Sequence, residues 1–261
     1  MHPVAAILDS LVLYRYSMIL ALAAAAGVCC FLACCSYRQI SALSAARTAL
    51  TAVVLSLVFS RIIYWYGRPD SFSSFYQAVF STSTKHFALL GAFAGCGLAA
   101  VITGKQVGKT KLLDCMSIAG CIAIALGRLG CFFTDTDRGQ IMVRLTSLPW
   151  AWPVANVSGM LEYRFATFLF QALAAAVIFS VLLILFLRNP EKRRFRDGDI
   201  TLLFLLMYSA SQILLDSTRY DALRLRSNGF ISVVQVFSVI ALIPPICEKP
   251  PVELSVNCFE K

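Results

Sequence analysis

The stretch "LLDCMSIAGCIAIALGRLGCFFTDTDRG", Leu112 to Gly139, is apolar for long enough to cross a bilayer, yet it holds Arg128 and ends among Asp135, Asp137 and Arg138. About 20 apolar residues suffice for a helix to span a hydrocarbon core. The run 112–133 meets that length, so its arginine must be reconciled with lipid. An arginine at mid-helix raises the cost of insertion by about 2.5–3.5 kcal/mol, and by less toward an end. The guanidinium therefore needs an anionic companion, either a protein carboxylate or a lipid phosphate, and its planar fork suits phosphate oxygens well. Gly127 and Gly130 bracket it and leave room for another helix or a headgroup to approach.

The rest of the chain has the same character. Its 261 residues are 59% hydrophobic and 14% charged, with a mean hydropathy of +0.75. A soluble domain of this length has no interior large enough for so much apolar surface, so part of the solvent is lipid. Seven runs are expected to span: 11–35, 48–66, 86–103, 112–133, 165–187, 200–217 and 230–247. The fold expected is an all-α membrane protein, a seven-helix bundle forming one integral membrane domain over residues 1–261. No basic n-region precedes the first run, so that run is expected to stay in the membrane.

The net charge of +9 sits in short loops, which points to the positive-inside rule and anionic headgroups and away from nucleic acid. With the N-terminus outside, the segments 36–47, 104–111, 188–199 and 248–261 face the cytoplasm and hold twelve Lys or Arg, against eight in the outer segments. The cluster "RNPEKRRFRD" (188–197) is the strongest inside marker. The C-terminus is then cytoplasmic. The outer segment 134–164 carries Trp150 and Trp152 and is expected to lie against the membrane face; 67–85 mixes aromatics with hydroxyls and should be interfacial. No period of 20–50 residues recurs, which weakly opposes a transporter.

Ten cysteines fall mostly inside apolar runs, with no paired CxxC spacing and only two histidines in the chain. They read as small packing residues, and neither a metal site nor a cofactor is expected. Arg15 and Arg61 lie near span ends, where a long side chain snorkels to the headgroups. Tyr208, Gln212, Asp216 and Arg219 share one face of the sixth run by their spacing, a polar stripe of the kind that marks an interior cavity. Asp216 has two available partners, Arg128 and Arg219. His86, beginning the third run, is by its position alone more often a satisfied interfacial residue than a catalyst. Tyr16 by itself is an ordinary interfacial tyrosine.

"GRLGCFFTDTDRG" resembles the signature of the prolipoprotein diacylglyceryl transferase family, G-R-[IL]-G-N-F-x-N-x-E-x-x-G, with Gly127, Arg128, Gly130, Phe132 and Gly139 in register. "YRYSMILALAAAAG" is similar to that family's first span, with Tyr16 at a tyrosine position. "HFALLGAFAG" resembles its H-G-G-L-[IL]-G segment through His86, Leu89 and Gly91. "YSASQILLDSTRYD" is similar to its Y-x-x-x-R-x-x-x-E-x-x-R helix through Tyr208, Asp216 and Arg219, and "SVVQVFS" to the S-x-x-Q-x-x-S that follows. The signature asparagine is replaced by Cys131, the glutamate by Thr136 (flanked by Asp135 and Asp137), two glycines by Phe87 and Ala88, and an arginine by Gln212.

The resemblance implies an enzyme of lipoprotein biogenesis in the bacterial cytoplasmic membrane. Its partners would be a phospholipid, phosphatidylglycerol by family, and a prolipoprotein signal peptide with a lipobox cysteine. Arg128 with Arg219 would hold the departing phosphate, His86 would steer the thiol proton, and Tyr16 would complete the catalytic set. Gly130, Gly139, Asp135, Asp137, Tyr208, Gln212 and Asp216 would line the substrate site. The other readings are a noncatalytic relative that binds phospholipid or signal peptide, and a small transporter.

Overall fold

The computed structural model describes residues 3–67, 75–80, 87–105, 107–133, 139–142, 150–155, 160–192, 196–219, 235–236 and 238–240. The protein is mostly helical: α1 (Pro3–Tyr37), α2 (Ala42–Gly67), α3 (Phe75–Phe80), α4 (Leu89–Thr103), α5 (Lys109–Gly130), α6 (Thr167–Lys192) and α7 (Asp199–Asp216). Five of them, α1, α2, α5, α6 and α7, are long and apolar enough to cross a membrane, and α4 is a shorter apolar helix. The third expected span is thus trimmed at its start, with helix from Leu89 onward. Of the last expected span, 230–247, only five residues fall within the described part of the chain.

Two helix pairs organise the bundle, and both depend on small residues. The α2–α4 pair is the most extensive. It runs antiparallel, as its polar stitches show. Thr48 Oγ1 donates to Thr103 Oγ1 at 2.9 Å and Ser56 Oγ donates to the Ala92 carbonyl at 3.1 Å. At the far end the Ala88 N–H donates to the Ser60 carbonyl at 3.2 Å. Gly91 and Gly95, one turn apart, bring α4 against the backbone of α2 at Phe59–Ser60 and Leu55–Ser56. In lipid, where burial of apolar surface supplies little drive between helices, such close backbone approach is a main source of association.

α1 and α5 are likewise antiparallel. A Cβ on Gly27 would sit 3.0 Å from that of Ala123, and one on Gly130 would sit 3.1 Å from Ile19 Cγ2. The main core lies between α1, α5, α6 and α7, around Leu112, Ile118, Leu182, Phe186 and Ile200. Five cysteines, at 34, 35, 115, 121 and 131, are buried as free thiols. At one end of the bundle Asp114 is 1% exposed and caps α7. Its carboxylate accepts the Gly198 N–H at 2.8 Å, the Thr201 N–H at 2.9 Å and the Thr201 hydroxyl at 2.8 Å. Arg38 and Lys111 meet Asp197 at the same end, at 3.4 and 3.8 Å.

Asp114→Ala is expected to cost about 2–4 kcal/mol, because it strands buried donors at a helix N-terminus. Thermal unfolding in detergent measures it, and a Tm equal to that of the parent protein would refute the cap.

The other end adds a short two-stranded element to the helices. Part of the segment 134–164 folds as an antiparallel hairpin of β1 (Ala151–Ala155) and β2 (Leu161–Phe165), with Ala151 opposite Phe165 and Ala155 opposite Leu161. Residues 139–142 line the free edge of β2: the Met142 N–H donates to the Tyr163 carbonyl at 2.7 Å and the Phe165 N–H to the Gln140 carbonyl at 3.1 Å. The physical reason is visible in hindsight. "AWPVA" and "LEYRF" are short, rich in aromatic and branched residues, and separated by "NVSGM", which favours a turn. Pro153 is tolerated because β1 is an edge strand.

Candidate active site

The hairpin end of the bundle gathers most of the described candidate residues. α5 closes with Arg128 in its last turn and passes into a 3-10 turn, Cys131–Phe133. The Cys131 N–H stays bonded to the carbonyls of Arg128 and Leu129. Arg128 is half-buried and interacts with neighbours within the protein, so it is not extended into bulk solvent. Tyr16 of α1 packs on the small buried cluster of Cys131, Ala166 and Phe168. A Cβ on Gly130 would come within 3.4 Å of the Tyr16 ring, so the signature glycine sets how closely α1 and α5 meet here.

Gly139 is held just as tightly. Its N–H donates to the Phe165 carbonyl at 2.8 Å, and the neighbouring Gln140 N–H donates to the Thr218 carbonyl at 3.0 Å. It also pairs as an isolated antiparallel bridge with Arg219. A Cβ there would lie 2.6 Å from Phe165 Cβ and 2.7 Å from Thr167 Oγ1. Only glycine lets this strand thread between the start of α6 and the end of α7.

On α7 the polar stripe faces inward as its spacing implies. Tyr208, Gln212 and Asp216 are all buried. Of the two partners available to Asp216, the structure pairs it with Arg219, Nη1 to Oδ1 at 3.1 Å, with the carboxylate fully buried and Arg219 14% exposed. Tyr208 packs edge-on against Phe93 of α4 at 5.5 Å between ring centroids. Thr167 and Thr218 share a hydrogen bond at 3.1 Å and tie α6 to the end of the same helix. His86, Asp135 and Asp137 lie outside the described residues.

Arg61 differs from its expected placement. Expected to snorkel, it is 6% exposed and stacks over the Phe87 ring at 4.1 Å. The aromatic next to His86 supplies a face for the cation, a contact worth more once desolvated. Its position on the side of α2 turned to α4 was the available signal, but only the pairing of those helices reveals that side. Arg15 is exposed, as expected.

Beside Cys131 and Ala166 lies an apolar cavity of about 300 Å³, lined by Ile19, Leu129, Phe132, Phe133, Ala166, Phe168 and Leu169. An arginine at a helix end, a buried acid–arginine pair and an adjacent greasy cavity together suit an amphipathic anion better than a soluble metabolite.

Comparison with known proteins agrees with this chemistry. A family model described as prolipoprotein diacylglyceryl transferase matches residues 3–247. A phosphatidylglycerol–prolipoprotein diacylglyceryl transferase of Synechocystis sp. is 30% identical over 197 residues, covering 72% of this chain and 66% of the relative. Those of Acaryochloris marina (26% over 240 residues, 89% of this chain and 84% of the relative) and Listeria innocua (25% over 248 residues, 93% and 87%) extend the similarity along most of the sequence.

Proposed function

The chain belongs to the prolipoprotein diacylglyceryl transferase family, and from that premise we propose that it moves the diacylglyceryl group of phosphatidylglycerol onto the lipobox cysteine of a prolipoprotein. In that reaction the cysteine sulfur, as thiolate, forms a C–S bond to the terminal carbon of the diacylglyceryl unit. The C–O bond to phosphate breaks, glycerol phosphate departs with the bonding electrons, and the thiol proton passes to a base. Arg128 is the group assigned to the departing phosphate. The observation that carries this reading is its place: a half-buried arginine in the last turn of α5, one residue before Leu129, which lines an apolar cavity at this end of the bundle.

Arg219, set by Asp216 at 3.1 Å, supplies a second cation at the same end. Tyr16 packs on the cluster of Cys131, Ala166 and Phe168 beside the signature segment. His86 is assigned the thiol proton, and Asp135 and Asp137 the rim of the site. The cavity takes part of an acyl chain. Gln212 stands where the family carries an arginine, so the anion site relies more heavily on Arg128 and Arg219.

We place the protein as a single seven-span domain in the bacterial cytoplasmic membrane, N-terminus outside and C-terminus cytoplasmic. The clustering of Arg38, Lys111 and Asp197 at the end opposite the site supports that orientation, since basic loops stay inside. A reporter active only in the cytoplasm should work when fused within 188–197 and fail within 143–149; the reverse pattern would overturn the topology.

Complementation is the direct test of the activity. Expression in cells depleted of their own transferase should restore growth, and membranes should convert a lipobox peptide to its thioether-linked, diacylglyceryl form by mass. Retention of phospholipid with no turnover of any lipobox acceptor would sink the transferase reading.

A further inference from the structure

The buried face of α6 holds a group the proposed chemistry has not used. Gln171 is 1% exposed, and neither its Nε2 nor its Oε1 has a hydrogen-bond partner among the described residues. An amide buried with both ends unmet is costly, and native proteins rarely retain one without a reason. The cost is sharper in a helix as apolar as "TFLFQALAAAVIFSVLLILF", where an intramembrane polar side chain marks function by default.

Its height in the bundle locates that reason. The end of α5 and the start of α6 meet at the cluster of Cys131, Ala166 and Phe168, so from there the two helices run back into the bundle antiparallel. Three residues back along α5 from Cys131 stands Arg128, and three residues along α6 from Phe168 stands Gln171. At 1.5 Å of rise per residue both lie about 5 Å deeper than the cluster, at one level. One turn back from Gln171 on the same face, Thr167 is fully buried and bonded to Thr218 of the α7 end. Gln212 and Asp216 are buried on α7, which packs against α6.

We propose that Gln171 is a specificity-determining residue, reading the hydroxylated headgroup of the phospholipid whose phosphate Arg128 holds. A carboxamide offers one donor side and one acceptor side, the complement of a hydroxyl that must both give and receive. Glycerol attached to the phosphate supplies such hydroxyls within a few bonds of the anion. A trimethylammonium headgroup supplies none and would leave the amide unmet. This assignment rests on the transferase reading for its consequence in turnover, but not for its consequence in binding.

The test compares phosphatidylglycerol with phosphatidylpropanol of identical acyl chains, which has the same charge and lacks both headgroup hydroxyls. Full-length protein in mixed micelles is expected to prefer phosphatidylglycerol by about 10-fold or more in kcat/KM, the discrimination one buried hydrogen bond gives. Gln171→Met removes both polar ends at similar volume. It should bring the ratio close to one, chiefly by weakening use of phosphatidylglycerol, while Tm in lipid-free detergent stays level or rises, since an unmet amide has gone. Gln171→Leu gives the same reading should methionine overfill the site.

Lipid-induced stabilisation gives a second readout that needs no turnover. Phosphatidylglycerol should raise the Tm of the parent protein more than phosphatidylpropanol does, and the difference should vanish in both variants. If the parent protein turns over neither lipid but shows that Tm difference, the transferase reading fails and the headgroup assignment stands. A preference unchanged in the variants, no preference in the parent protein, or a loss of Tm with the preference intact would each overturn the role of Gln171.

Discussion

Arg128→Ala yields a folded membrane protein that no longer transfers the diacylglyceryl group, with kcat/KM down by about 10²–10³ or more. The size follows from the proposed role: the substitution removes donors assigned to the departing phosphate, where negative charge accumulates, a contribution usually large among catalytic terms. Stability should change far less than activity. The helix-dipole share of a basic residue in the last turn is about 0.3–1 kcal/mol, to which its interactions within the protein add, while the α1–α5 contact is made by Gly27, Ala123, Gly130 and Ile19. Arg128→Lys should recover a minor part of the rate, because an ammonium restores charge without the planar fork. Activity with a lipobox peptide, measured beside thermal unfolding, separates the two effects. Turnover within a few-fold of the parent protein in Arg128→Ala would remove the phosphate-holding role.

Gly95→Val should prevent the bundle from assembling, with a penalty above about 3 kcal/mol, since overpacking against rigid groups exceeds the ordinary range. A Cβ on Gly95 would sit 2.5 Å from Ser56 N and 2.6 Å from Leu55 C, all main-chain atoms of α2 that no rotamer change can move. Relief requires the helices to part, which weakens the Ser56–Ala92 and Thr48–Thr103 bonds together. The same helix carries its own control. Gly97 has nothing within 4 Å of a Cβ, so Gly97→Ala should be neutral, or stabilising by up to about 1 kcal/mol through helix propensity. Equal Tm values for the two variants would show that α2 and α4 do not cross as described.

The two glycines also show what was legible beforehand. The spacing of "GAFAG", Gly91 and Gly95 one turn apart, sets those two glycines apart from Gly97 as a small-residue pair, but it does not name the helix they meet. The polar stripe of α7 was readable because a helix repeats every 3.6 residues, and Tyr208, Gln212 and Asp216 are buried together as that period requires. The choice of Arg219 over Arg128 as partner of Asp216 was not readable, since both satisfy the charge rule. Arg61 illustrates the opposite failure: proximity to a span end suggested snorkelling, whereas the approach of Phe87 buries it. The hairpin over 151–165 is not legible in the sequence of 134–164, because its strands are too short to stand out from an aromatic-rich connection.

Sequence alone determined that this is a membrane protein, where most of its apolar helices run, and which family signature its fourth run carries, because hydropathy and local spacing are properties of neighbours along the chain. The tertiary structure decided which buried polar groups meet. Asp114 became a cap for α7, Asp216 was joined to Arg219, and Gln171 was left with both amide ends unmet inside the bundle. The Asp114 cap turns on contacts between residues 84 and 87 positions apart, and all three turn on a low-dielectric interior that makes every unmatched donor count.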